Sequence, residues 1–202
     1  MARLQRDFYL GDTVHIAQAL LGKVLVRRLN GEVLAGLITE TEAYVGRLDK
    51  ACHAYGYRRT QRTETLFGPP GHAYIYLIYG MYCCLNFVTE PEGEPSAVLL
   101  RGLEPLQGTA QMALQRFGCL PNEMNAYQRK NFLNGPGKIC KALSLTRHDN
   151  SIDLCEDELF ILDSPADLGL SAAPPRKIFS GPRIGIDYAE EAVTFPWRFY
   201  FG

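Results

Sequence analysis

The sequence predicts an α+β fold, on three observations. Its candidate strands fall in antiparallel hairpins, its helical patterns cluster in the middle of the chain, and strands and helices do not alternate as a doubly wound sheet requires. At 202 residues the chain fits one domain spanning 1–202, because domains average roughly 150 residues. Apolar residues make up 47% and charged residues 21%, which supplies a sizeable core and excludes a disordered chain.

The elements follow in order. Asp12 can N-cap a short helix through Leu21, with Val14, Ala17 and Leu21 on one face and Gly22 as its stop. KVLVRRL and EVLAGLITETEAY are joined by Asn30-Gly31, a strong hairpin signal. Alternation in the second strand places Ile38, Glu40, Glu42 and Tyr44 on one face, with Ala35, Leu37, Thr39 and Thr41 on the other. A loop rich in Arg, Thr and Gly leads into HAYIYLIYGMYCCLNFV, which Gly80 breaks into a second hairpin with aromatic residues near its tip. After the EPEGEP turn, SAVLLRGLEPL reads as a buried strand. Helices are expected at about 105–117 and 136–144, the latter with Pro136 first and an uncapped N-terminus facing outward. Short strands are expected near 158–162, 183–186 and 197–201.

Bulk properties exclude several classes. The formal charge of −1 rules out a polybasic protein that holds nucleic acid by charge alone. The six cysteines form no C-x-x-C pair, and a chain of this length needs no disulfide staples, so reduced thiols of a cytosolic protein are expected. Arg3, Arg6, Asp7 and Asp12 break up the N-terminus, leaving no apolar secretory segment. The stretch from Gly68 to Thr89 lacks charge, but its prolines, tyrosines and Asn86 suit a turn and strand better than a membrane helix. The expectation is a soluble, cytoplasmic protein without a membrane span.

Several residues could carry chemistry. Glu40 and Glu42 can be a solvated strand end or a pair for acid/base work. The apolar VLAGLI before them delivers Glu42 and Tyr44 to the edge of a core, where desolvation raises a carboxyl pKa. His53 lies beside Cys52, but the ligand spacings of a zinc site and the nucleobase deaminase signature are both absent, so no metal is expected. Tyr74 and Tyr82 are expected in core packing, whereas Tyr79 at a hairpin tip has little to bury against and suits stacking on bases. Two segments carry basic residues and no acid: 54–63 with Arg58, Arg59 and Arg62, and 126–147 with Arg129, Lys130, Lys138, Lys141 and Arg147. Segment 152–167 is acidic throughout, with no base. Such runs are often ordinary surface, yet Lys138 and Lys141 behind Gly135-Pro136-Gly137 also suit a phosphate grip. Together these features suggest an enzyme working on nucleic acid.

The sequence resembles the alkyladenine (3-methyladenine) DNA glycosylase family, in its bacterial form. The resemblance rests on LLGKVLVR (20–27), ITETEAYVG (38–46), the segment ending at His53, YIYLIYGMYCCLN (74–86), AVLLRGLEPL (97–106), GPGKICKAL (135–143), GPRIGI (181–186) and WRFY (197–200). It implies a single compact domain with a curved antiparallel sheet, surrounding helices and a protruding, DNA-intercalating β-hairpin. It implies that Glu42 is the general base activating water and that Arg101 positions that water. Tyr44, His53, Tyr76 and Asn86 would form the base pocket, Asn86 crowding out a guanine 2-amino group, and Tyr79 would enter the duplex. Arg58, Arg59, Lys138 and Lys141 are the expected contacts to the DNA backbone. The implied substrate is duplex DNA with a damaged purine, attacked by a monomeric, monofunctional enzyme without metal or redox cofactor. The competing reading is a non-catalytic nucleic-acid-binding module like the C-terminal domain of methionyl-tRNA formyltransferase, which needs neither Glu42 nor Arg101.

Overall fold

Strand β1 (Val24–Leu29) and strand β2 (Glu32–Val45) form the first hairpin. Asn30 and Gly31 at its turn both have positive φ, 50° and 81°, the backbone an Asn-Gly turn favours. The computed structural model describes residues 2–172 and 174–202. All strand pairs are antiparallel. β3 (Ala73–Ile78), β4 (Tyr82–Thr89), β5 (Ser96–Gln107), β2, β1 and β6 (Leu159–Leu162) lie side by side in that order, and β7 (Ile178–Gly181) with β8 (Arg198–Phe201) joins through β2. The long β2 pairs first with β1 and then with β8 along one edge, and with β5 along the other.

A β-bulge divides β2 and reverses its faces. The pairing with β5 slips between Ile38 and Glu40 and again between Glu40 and Thr41. Before the slips Leu34 and Ile38 face the main core; beyond them Ala43 does, and the Thr41 hydroxyl donates to Ala17 O at 2.6 Å. Ile38 therefore does not share a face with Glu42 and Tyr44, nor Thr41 with Ala35 and Leu37, because each extra bulge residue flips the pleat. β5 slips in step: Val98 and Leu100 face the core before Arg101, and Leu103 after it. Gly102 permits the close approach, since a Cβ there would sit 2.7 Å from Thr39 Oγ1 and 2.9 Å from Glu40 Cβ.

Helices cover one face of the sheet. α1 is the short Arg6–Tyr9 helix, and α2 (Thr13–Ala19) is capped by the Asp12 side chain, which accepts from His15 N–H at 2.8 Å. α3 (Thr109–Phe117), α4 (Ala126–Lys130) and α5 (Pro136–Ala142) complete the set. Ile16, Ala17, Met112, Ala113, Ile139 and Cys140 from these helices meet Ile75, Leu85, Phe87 and Leu100 of the sheet in the largest core cluster. The helix expected from 105 begins only at Thr109, because β5 continues through Gln107 and the left-handed Gly108 turns the chain. No strand forms over 183–186, where the chain instead loops over the opposite sheet face. That face carries Tyr44, Tyr74 and Tyr76, packed against Cys52, Ala54, Leu66 and Phe67 from the connection between β2 and β3. Tyr82, expected in the core, is 49% exposed beside Gly137 of α5, since the second hairpin runs past the sheet.

Candidate active site

The sheet face opposite the helices holds a cavity of about 390 Å³, within the usual range for small-ligand sites. Alternation on β3 directs Tyr76 into it, and β4 and β5 contribute Asn86 and Arg101. Tyr44 lines it from β2, His53 from the following loop, and Tyr79 reaches its mouth from the hairpin. Glu42 is fully buried behind this lining, but its three polar partners, Tyr44, Arg101 and Ile184, all belong to the lining.

Those partners define the state of Glu42. Oε1 accepts the Ile184 backbone N–H at 2.8 Å and lies 3.4 Å from Arg101 Nε, while Oε2 accepts the Tyr44 hydroxyl at 2.8 Å. Burial raises the Glu42 pKa above the usual carboxylate range, and Arg101 and the two hydrogen bonds only partly oppose it. Arg101 is shared: its Nε donates to Glu40 Oε1 at 3.3 Å, where Arg198 also donates at 3.1 Å. Glu40 thus anchors the arginines, and Glu42 is the carboxylate adjoining the cavity.

The Ile184 contact to Glu42 comes from a backbone N–H, which no side-chain pattern reveals. Arg183 fixes the loop that makes it, pairing with buried Asp49 at 2.8 Å through Nη2 and donating to Ala43 O at 2.8 Å through Nη1. Both side chains of this ion pair are fully buried. The Arg183 guanidinium also lies 4.7 Å from the Tyr44 ring centroid. Arginine in GPRIGI was the available signal, although the expected strand there hid its use.

His53 joins the aromatic wall, its ring 4.5 Å from that of Tyr76 and nearly perpendicular at 79°. Its Nδ1 lies 3.0 Å from Tyr74 OH, so buried Tyr74 serves the site as well as the core. Burial first, and the Arg62 charge second, depress the His53 pKa to about 4, which leaves the ring neutral near pH 7. The Asn86 amide nitrogen donates to Tyr74 O at 3.0 Å, fixing which way that buried side chain points.

At the hairpin tip Tyr79 and Gly80 both have positive φ, 53° and 71°, and Met81 N–H bonds to Ile78 O. This turn leaves Tyr79 84% exposed. The expected backbone contacts divide into two kinds. Arg58 and Lys141 are exposed, and no carboxylate pairs with them among the described residues. Arg59 is held by Glu64, and the Lys138 ammonium is taken up by Asn131 Oδ1 at 2.9 Å and Asn134 Oδ1 at 2.8 Å. The α5 N-terminus has no side-chain cap, as expected, and its Pro136 lines the cavity.

A carboxylate tuned to exchange a proton, beside an aromatic slot with an exposed tyrosine at its mouth, can accept a flat ring and activate a water next to it. The family described as "Methylpurine-DNA glycosylase (MPG)" matches residues 7–202. A protein of Bacillus cytotoxicus is 52% identical over 194 residues, covering 96% of this chain and 93% of that protein. One from Clostridium perfringens strain SM101 is 49% identical over 98% of this chain and 95% of its own length. Another from Bacillus cereus strain B4264 is 51% identical over 96% and 93%. All three carry the name "Putative 3-methyladenine DNA glycosylase".

Proposed function

The chain belongs to the methylpurine-DNA glycosylase family, and on that premise we propose that it excises alkylated and deaminated purines from duplex DNA by base flipping. Its substrates are 3-methyladenine, 7-methylguanine, hypoxanthine and ethenoadenine, and the product is an abasic site. The observation that carries this reading is Glu42, fully buried yet linked to three groups that line the aromatic cavity. A module that only binds nucleic acid has no use for so costly a carboxylate.

A base inside a duplex is out of reach, so the target nucleotide leaves the stack at a cost of a few kcal/mol. Tyr79 fills the gap and offsets part of that cost. The flipped purine lies between Tyr44 on one side and Tyr76 with His53 on the other, and Asn86 crowds a 2-amino group, which disfavours undamaged guanine and slows 7-methylguanine without barring it. Oε2 of Glu42 accepts one hydrogen bond from Tyr44 and keeps a lone pair for a water. As the bond between C1′ and the base nitrogen breaks, its electron pair leaves with the base and positive charge builds on the sugar. Ionised Glu42 stabilises that charge and takes the proton of the attacking water, whose oxygen bonds to C1′.

The reaction stops at hydrolysis. A lyase step needs a neutral amine, and Lys50 is held protonated by Glu190 at one side and Glu191 at 2.9 Å. No helix among the described residues is long and apolar enough to cross a membrane, and the proposed setting is the nucleoid, where a monomer engages each lesion. Duplexes carrying hypoxanthine or ethenoadenine, treated with the protein and then with alkali, test the reading: strand breaks are expected only after alkali. Glu42→Gln should lose about 10²–10⁴-fold in single-turnover rate. Equal cleavage by this variant would exclude the mechanism, and breaks without alkali would exclude simple hydrolysis.

A further inference from the structure

Each aromatic wall of the cavity already carries a guanidinium. Arg183 behind Tyr44 is neutralised by Asp49. Arg62, which also lines the cavity, lies 5.2 Å from the Tyr76 ring centroid and donates to His53 Nε2 at 3.3 Å. A guanidinium has no acceptor, so Nε2 supplies the lone pair and the His53 proton lies on Nδ1, toward Tyr74 OH. His53 therefore gives Arg62 no counter-charge. Glu64, the acid closest in sequence, is taken by Arg59, and among the described residues no carboxylate forms an ion pair with Arg62.

We propose that Arg62 sets the charge selectivity of this site, favouring neutral purine lesions such as hypoxanthine and ethenoadenine over purines made cationic by alkylation at N3 or N7. The inference rests on the glycosylase reading above. Bare tyrosine faces attract a cationic ring through their quadrupoles. The Arg62 guanidinium already occupies the attraction of Tyr76, and it repels a second cation entering the same cavity. The bias falls where the chemistry needs it. A cationic purine departs readily because the bond-breaking electrons neutralise it, whereas a neutral purine leaves with a negative charge and depends more on the site. Like charges about 6 Å apart, at an effective dielectric of about 40–80, translate into a roughly 3- to 10-fold discrimination.

The test compares single-turnover excision of 7-methylguanine and hypoxanthine from otherwise identical duplexes, at saturating protein. The ratio of the two rates cancels general effects on DNA binding and folding. In Arg62→Gln the ratio of 7-methylguanine to hypoxanthine excision should rise roughly 3- to 10-fold. Arg62→Lys keeps the charge and should stay within about twofold of wild type. An unchanged ratio or a parallel loss on both lesions in Arg62→Gln would overturn the proposal, as would an equal rise in Arg62→Lys. Wild-type protein that releases neither base would overturn the glycosylase reading itself, a result distinct from an unaltered ratio.

Discussion

Glu42 is a single residue under two opposed demands. Burial disfavours its charge, while Arg101, the Ile184 N–H and the Tyr44 hydroxyl favour it, and burial wins. In the proposed mechanism Glu42 is the general base and works only when ionised, so excision should rise with pH through a midpoint above the usual carboxylate range. Removing the nearby cation in Arg101→Gln should move that rising limb to higher pH, measurable as a shift in the rate profile on a hypoxanthine duplex. An unshifted limb would mean that another group is titrating. The same raised pKa has a cost in stability. The folded state holds the Glu42 proton more tightly than the unfolded chain, so stability is lost as pH rises from the ordinary carboxylate range through the raised value. Glu42→Gln keeps hydrogen-bonding atoms at that site without the charge, and should melt higher than wild type at neutral pH but not in acid. His53 adds no step to these profiles near neutrality, because its pKa lies at about 4.

Elements decide where such residues point. The bulge in β2 reverses the pleat so that Glu42 faces the cavity instead of the helix layer. Gly102→Ala should therefore do more than cost about 1–3 kcal/mol of overpacking, which a denaturant titration would measure. By forcing Thr39 and Glu40 away it should also displace Arg101 and lower activity beyond what the stability loss explains. The hairpin tip acts differently: Tyr79 is almost free of the fold, so Tyr79→Ala should leave the melting temperature alone and weaken capture of the flipped base about 5- to 150-fold, the value of one aromatic–base stack at roughly 1–3 kcal/mol. Unchanged single-turnover kinetics would count against intercalation. Both hairpins were legible because Asn30-Gly31 and Gly80 demand positive φ and flanking strands alternate. The bulge was not, because an inserted residue leaves ITETE alternating as neatly as before. The Ile184 contact was hidden for another reason: a backbone N–H has no sequence letter, and its loop is held by a nonlocal ion pair between Arg183 and Asp49.

Across the whole molecule, a net charge of −1 is a poor guide to the field that DNA would meet. The acidic run over 152–167 is largely spent internally: Asp153 pairs with Arg6, Asp157 with Arg3 and Arg28, Glu158 with Arg27, and Asp163 with Lys23. Adding charges along the chain could not show this, since the partners lie more than a hundred residues apart. The two basic segments, in contrast, converge on the cavity. Arg58 and Arg62 line a recess beside His53, and Arg62 and Arg147 line another beside Tyr76. On the proposed function Arg58 and Arg147 take the phosphates flanking the flipped nucleotide, while Arg62 stays against Tyr76 and His53 and Lys138 is already committed to Asn131 and Asn134. The three positions therefore predict different salt responses. Removing one cation that neutralises a phosphate lowers the slope of log affinity against log salt by about 0.9 for duplex DNA. Arg58→Gln and Arg147→Gln should each show that drop, alike on damaged and undamaged duplexes, since phosphate contacts carry no sequence or lesion information. Lys138→Met should change stability and leave the slope alone. A slope that falls with Lys138→Met and not with the two arginine variants would place the DNA backbone along α5 instead.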